Sequence, residues 1–77
     1  MIRKPVDSSN INSVGFDKGP PAVLEIGFIG GGIYQYTSED DKIVKNHHDQ
    51  LMLANSKGKY FNDHIRRDPA IKTQKVG

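Results

Sequence analysis

The residues best suited to metal or proton chemistry are His47, His48 and Asp49, which are consecutive, His64, and the carboxylate run Glu39, Asp40 and Asp41. Imidazoles and carboxylates serve as metal ligands and as general acids or bases, and their spacing decides between these uses. Adjacent histidines on a helix diverge by about 100°, so they cannot easily share an ion. A second ligand one turn beyond His47 would fit better, but that position is Leu51. His47 and His48 therefore read as helix residues, with His47 partly packed, and no metal or cofactor is expected. Acidic residues at a helix start complement its dipole, which is the ordinary use of Glu39, Asp40 and Asp41. No nucleophile stands at an informative distance from a base, so the chain reads as noncatalytic.

Two glycine-containing strings invite a phosphate reading. Gly30-Gly31-Gly32 lacks the GxGxxG spacing and leads into a strand, so it reads as a hairpin turn. Ser56-Lys57-Gly58-Lys59 is no P-loop, but backbone N–H groups at a helix start between two lysines make a local anion site. The charge distribution supports that use. The net charge is only +2, yet from Lys57 onward Lys57, Lys59, Arg66, Arg67, Lys72 and Lys75 face only Asp63 and Asp68. Residues 37–56 are acidic by contrast, with Glu39, Asp40, Asp41 and Asp49 against Lys42 and Lys45. A basic end of this kind suits RNA or another polyanion, and it also serves plain solubility.

These side chains must be positioned by a small scaffold. The chain has 77 residues and no cysteine, so one domain must stand on apolar packing alone or on a partner that extends it. No apolar run is long enough to span a bilayer, and MIRKPVDSS lacks the apolar centre of a secretory signal. A cytoplasmic protein is expected.

Ile11–Asp17, Val23–Ile29 and Ile33–Thr37 read as three strands of an antiparallel meander. Helix follows over residues 39–54, capped by Ser38, with Ile43, His47, Leu51 and Ala54 on one stripe. Ser56 starts a second helix through Tyr60, Phe61 and Ile65, and Pro69 discourages its continuation. The expected fold is α+β, a three-stranded antiparallel β-meander with one face covered by two C-terminal helices. Residues 1–68 form the single domain, and 69–77 a flexible basic tail.

Tyr34 and Tyr36 share a strand face, and the glycine turn decides which. A two-residue loop at Gly30 and Gly31 pairs Glu25 with Tyr36 and leaves both rings exposed. A three-residue loop, Gly30 to Gly32, pairs Phe28 with Tyr34 and Ile26 with Tyr36. It gives an inner face of Leu24, Ile26, Phe28, Tyr34 and Tyr36, and an outer face of Glu25, Gln35 and Thr37. Polarity favours the second arrangement. The core aromatics are then Phe16, Phe28, Tyr34, Tyr36 and Phe61.

The strings VDSSNINSVGFD, LEIGFIGGGIYQY and LANSKGKYFNDHI, in that order, resemble the KTSC domain, from residue 6 to about residue 65. Tyr34-Gln35-Tyr36 matches the family's central Tyr-x-Tyr, and Ser56 to Asn62 its second signature. The chain departs from the pattern at His47 and His48, where apolar or aromatic residues are usual, and after Ile65. The resemblance implies a small domain without established catalytic activity, also found at the C-terminus of some lysyl-tRNA synthetases, which suggests RNA. The expected function is thus a noncatalytic binding module, with Lys57, Lys59, Tyr60, Arg66 and Arg67 meeting RNA or another anion. The alternative is a protein-interaction module or homo-oligomer that covers an open sheet edge.

Overall fold

The computed structural model describes residues 1–77. A five-stranded antiparallel sheet runs in chain order: β1 (Lys4–Pro5), β2 (Ile11–Asp17), β3 (Val23–Phe28), β4 (Ile33–Thr37) and β5 (Lys72–Lys75). Between β4 and β5 lie helix α1 (Asp41–Leu53), the short α2 (Lys57–Tyr60) and a π turn, Phe61–Ile65. The three expected strands are present, but the sheet has five strands, not three. Lys4-Pro5 is too short to show alternation, and all four residues of β5 are exposed. Its residues Lys72-Thr73-Gln74-Lys75 therefore carry no apolar period, and pairing with β4 alone makes them a strand. The segment after Pro69, expected to be a flexible tail, contains this strand. No helix is long and apolar enough to cross a membrane.

Strand β3 is the sheet's centre. Leu24 and Ile26 are fully buried on its inner face, where Ile11, Val14, Tyr36, Val44, Leu51 and Ile65 join them. Ile11 and Val14 are three residues apart, so strict alternation would send them to opposite faces. A bulge between Ile11 and Ser13 absorbs the extra residue and brings both inside.

The β3–β4 hairpin has a three-residue loop, but it is Ile29-Gly30-Gly31 rather than Gly30 to Gly32. Phe28 N–H donates to Gly32 O at 3.1 Å, and Gly31 N–H donates to Phe28 O at 3.2 Å. Gly30 holds φ +68°, the left-handed value that this turn needs and that glycine adopts without a Cβ penalty. Register is consequently two residues from the expected one, with Ile26 opposite Tyr34, Leu24 opposite Tyr36 and Glu25 opposite Gln35. A shift of two preserves faces. Tyr34 and Tyr36 thus lie on the inner face, with Tyr36 only 3% exposed. Phe16, Phe28, Tyr34 and Phe61 are half-buried and pack around the core rather than within it.

The outer face is not simply solvated. Glu25 is 6% exposed because the N-terminal segment lies across it. Arg3 Nη1 donates to Glu25 Oε2 at 2.6 Å, Arg3 Nε to Ser13 Oγ at 2.9 Å, and Gln35 Nε2 to Glu25 Oε1 at 2.9 Å. The Gln35 hydrogen bond and the Arg3 guanidinium hold the Glu25 carboxyl below the usual carboxylate range. Gly27 makes room for this network, since a Cβ there would lie 2.9 Å from Ser13 Oγ.

Helix α1 is capped by Asp40, not Ser38. The Asp40 carboxylate accepts the Lys42 N–H at 3.0 Å, while Ser38 Oγ accepts the Asp40 N–H one step earlier. Its buried stripe is Val44, His47 and Leu51, with Ile43 and Ala54 half-buried at its margins.

Truncating Tyr36 to alanine empties a site that the sheet and the π turn close from both sides. Urea unfolding should show a loss of about 3–5 kcal/mol for Tyr36→Ala. Tyr36→Phe should cost less than about 1 kcal/mol, because the hydroxyl makes no hydrogen bond within the protein.

Candidate binding cleft and its basic rim

The inner face is not covered along its whole length. Between β4 and the π turn a cavity of about 300 Å³ opens, lined by Phe28, Tyr34, Tyr36, Phe61, Arg66 and Thr73. Its rings meet edge to face: Phe28 with Tyr34 at 5.8 Å between centroids, Phe28 with Phe61 at 5.1 Å, and Tyr36 with Phe61 at 5.6 Å. Such contacts fix ring orientation. Strand β5 supplies the far wall, since pairing with β4 sets Thr73 beside Tyr36 and Lys75 beside Tyr34. The Lys75 stem runs against Gly32, where a Cβ would come within 2.8 Å of it.

On the helical side the cleft is built by a single backbone contact. Arg66 N–H donates to Phe61 O at 2.9 Å, an i→i+5 bond that joins the two residues which the π turn presents to the cavity. Helical insertions of this kind recur at functional sites. Burial first, and then the neighbouring Tyr34, raise the Tyr36 phenol above its ordinary pKa, so its hydroxyl stays protonated.

Of the residues expected to bind an anion, Arg66 alone lines this cleft. Arg67 follows it and is exposed. Neither arginine, nor Lys75, has a carboxylate within salt-bridge distance, whereas Lys45, Lys59 and Lys72 face Asp49, Asp63 and Glu39. The Ser56–Lys59 helix start is occupied by its own chain. Ser56 Oγ accepts the Lys59 N–H at 3.3 Å, and Lys57 Nζ donates to Ala54 O at 3.2 Å. Gly58 is buried against the Asn10 carboxamide. Tyr60 turns inward, so it presents no free hydroxyl at that helix start.

The Tyr60 hydroxyl instead lies 2.9 Å from His47 Nδ1, and His47 Nε2 lies 2.8 Å from Asp68 Oδ2. With His47 only 7% exposed, one imidazole ties α1 to α2 and to the segment that leads into β5. The His47 hydrogen bond, followed by the Ala70 N–H, lowers the Asp68 carboxyl from its ordinary value. Burial, and then the Asp68 charge, raise the Tyr60 phenol. His48 stacks on Phe16 at 4.6 Å, and His64 lies against Tyr60 at 4.7 Å. The carboxylates of the α1 start also separate, for Asp41 accepts the Ala22 N–H at 3.0 Å while Glu39 faces Lys72. Asp68, Thr73 and Lys75 were not singled out from the sequence as partners of these sites. Asp68 is 21 residues from His47, and β5 has no apolar signature.

These directions set a pH dependence. Stability from the Asp68 contact is present above the ordinary carboxylate pKa, ~3.9, and is lost as pH falls through the lowered folded value. Stability tied to the Tyr60 phenol is present below ~10 and is lost as pH rises through the raised folded value. In urea unfolding across pH, Asp68→Asn should reduce the acid-side decline and Tyr60→Phe the alkaline one, while Glu25 continues to contribute at acid pH.

Residues 7–68 match the family model of the KTSC domain. Among curated proteins none matches the chain. The crystal structure of a KTSC domain protein from Yersinia pestis is similar over 99% of this chain and 97% of that one, with a TM-score of 0.83 and 36% sequence identity. The family match spans β2 to the end of the π turn, and the structural match extends through β5: the chain belongs to the KTSC domain family.

Proposed function

We propose that this chain is a small noncatalytic binding module for RNA or a similar polyanion. The observation that carries the reading is the pair Arg66 and Arg67, exposed and without carboxylate partners, beginning at the mouth of an aromatic cleft. Guanidinium groups engage phosphate through paired donors, and an arginine already engaged by a carboxylate would have to exchange that partner. Lys75 adds charge on β5, two residues beyond the Thr73 that lines the cleft, and Lys57 and Lys59 lie elsewhere on the helical segment. The binding surface in this reading centres on the cleft mouth rather than on the Ser56–Lys59 helix start.

The sheet edges bear on the alternative, a module that completes itself by strand pairing. One edge is the two-residue β1 with Pro5, and the other is β5 with Lys72 and Lys75. Short strands, proline and lysine are the usual means of discouraging edge pairing. Self-association through the sheet is therefore the weaker reading.

Fluorescence anisotropy with a labelled single-stranded RNA should show binding at low salt. Log affinity should fall linearly with log salt, at a slope of about −0.7 per phosphate neutralised. Arg66→Ala/Arg67→Ala should weaken binding and make the slope shallower by about 1–2. Absence of binding at low salt, or binding indifferent to salt, overturns the proposal. Sedimentation of the same protein as a concentration-dependent dimer would favour the alternative.

A further inference from the structure

We propose that the cleft between β4 and the π turn receives one unstacked nucleobase of the bound RNA, with an adjacent phosphate on Arg66. This rests on the polyanion reading and assigns its specificity-bearing contact. The cavity of about 300 Å³ is at the small end of the ~300–1,000 Å³ range of ligand pockets, so it suits one flat ring system. Phe28, Tyr34 and Phe61 are half-buried around it, which leaves aromatic surface for stacking.

The Tyr36 hydroxyl decides between a base and a purely apolar plug. Tyr36 is 97% withdrawn from solvent by its 3% exposure, and its hydroxyl has no hydrogen-bond partner in the protein. Yet no fully buried side-chain oxygen lacks a partner, so this hydroxyl retains solvent contact at the cleft that Tyr36 lines. An aliphatic side chain placed there would strip water from the phenol and from Arg66 and return no hydrogen bond. A nucleobase edge carries donors and acceptors for the phenol, its ring stacks on the aromatic wall, and its phosphate meets the guanidinium. A base inside a duplex is stacked on both faces, so the site selects single strands.

The test is an aromatic and amide NMR titration of the full chain with adenosine 5′-monophosphate, adenosine and inorganic phosphate separately, and with a short oligoadenylate. The monophosphate and the oligonucleotide should shift Tyr34, Tyr36 and Phe61, whereas inorganic phosphate at equal concentration should leave these rings unmoved. Arg66→Ala should weaken the monophosphate by at least about tenfold and adenosine little. Tyr36→Phe, which keeps the ring, should weaken both by about three- to tenfold. An oligonucleotide that binds with salt dependence but leaves the cleft rings unshifted overturns this inference and preserves the polyanion reading. Monophosphate in the cleft without any RNA binding overturns the polyanion reading and retains a mononucleotide site. If Tyr36→Phe and Arg66→Ala both bind the monophosphate like the parent, the assigned contacts are wrong.

Discussion

The pairing of β3 with β4 governs both faces of the sheet. With Glu25 opposite Gln35, each residue of β4 inherits the environment of its neighbour on the central strand. Tyr34 and Tyr36 go inward beside Ile26 and Leu24, while Gln35 goes outward to share the Glu25 carboxylate. A slip of one residue would carry the tyrosines to Arg3 and drive Gln35 among Val44 and Leu51. The αL glycine at position 30 fixes the turn that prevents it. Core, cleft and outer ion pair thus depend on one short loop.

The outer network and the His47 network solve the same problem in different ways. Each is a buried polar cluster whose hydrogen bonds offset its desolvation, and no buried side-chain polar atom is left unpaired. Arg3 closes the sheet's outer face by reaching from β1's approach to β2 and β3. His47 works between segments, joining α1, α2 and the stretch before β5. A small chain without disulfides gains definition from such specific contacts where its core is thin.

Several of these features were legible in the sequence and several were not, for physical reasons. The central strands were visible because Val23–Phe28 and Ile33–Thr37 alternate around a buried face, and the inward tyrosines followed from the polarity of Glu25 and Gln35. Ser56 was readable as a cap. The edge strands were not, because an edge residue with both sides in solvent carries no apolar period, and the Lys4-Pro5 pair is shorter than any period. The hairpin parity was readable while the exact register was not, since registers two residues apart bury the same side chains. The bulge after Ile11 hid a core residue, because the alternating pattern starts only at Val14. Arg66 could be seen as a charge, but not as a wall of a cleft, because that depends on where the helical segment turns.

The i→i+5 bond between Arg66 and Phe61 has a consequence for rotational phase. In an unbroken α-helix the fifth residue onward lies about 140° round the axis, five steps of about 100°. The wider π turn instead brings the fifth residue back nearly over the first. One surplus residue therefore aims Arg66 to the same side as Phe61 while Ile65 still reaches the core. Regular α-helical winding over the same residues would instead turn the guanidinium away from the aromatic wall. The chemistry at this surface is thus encoded as much by the winding of the backbone as by residue identity.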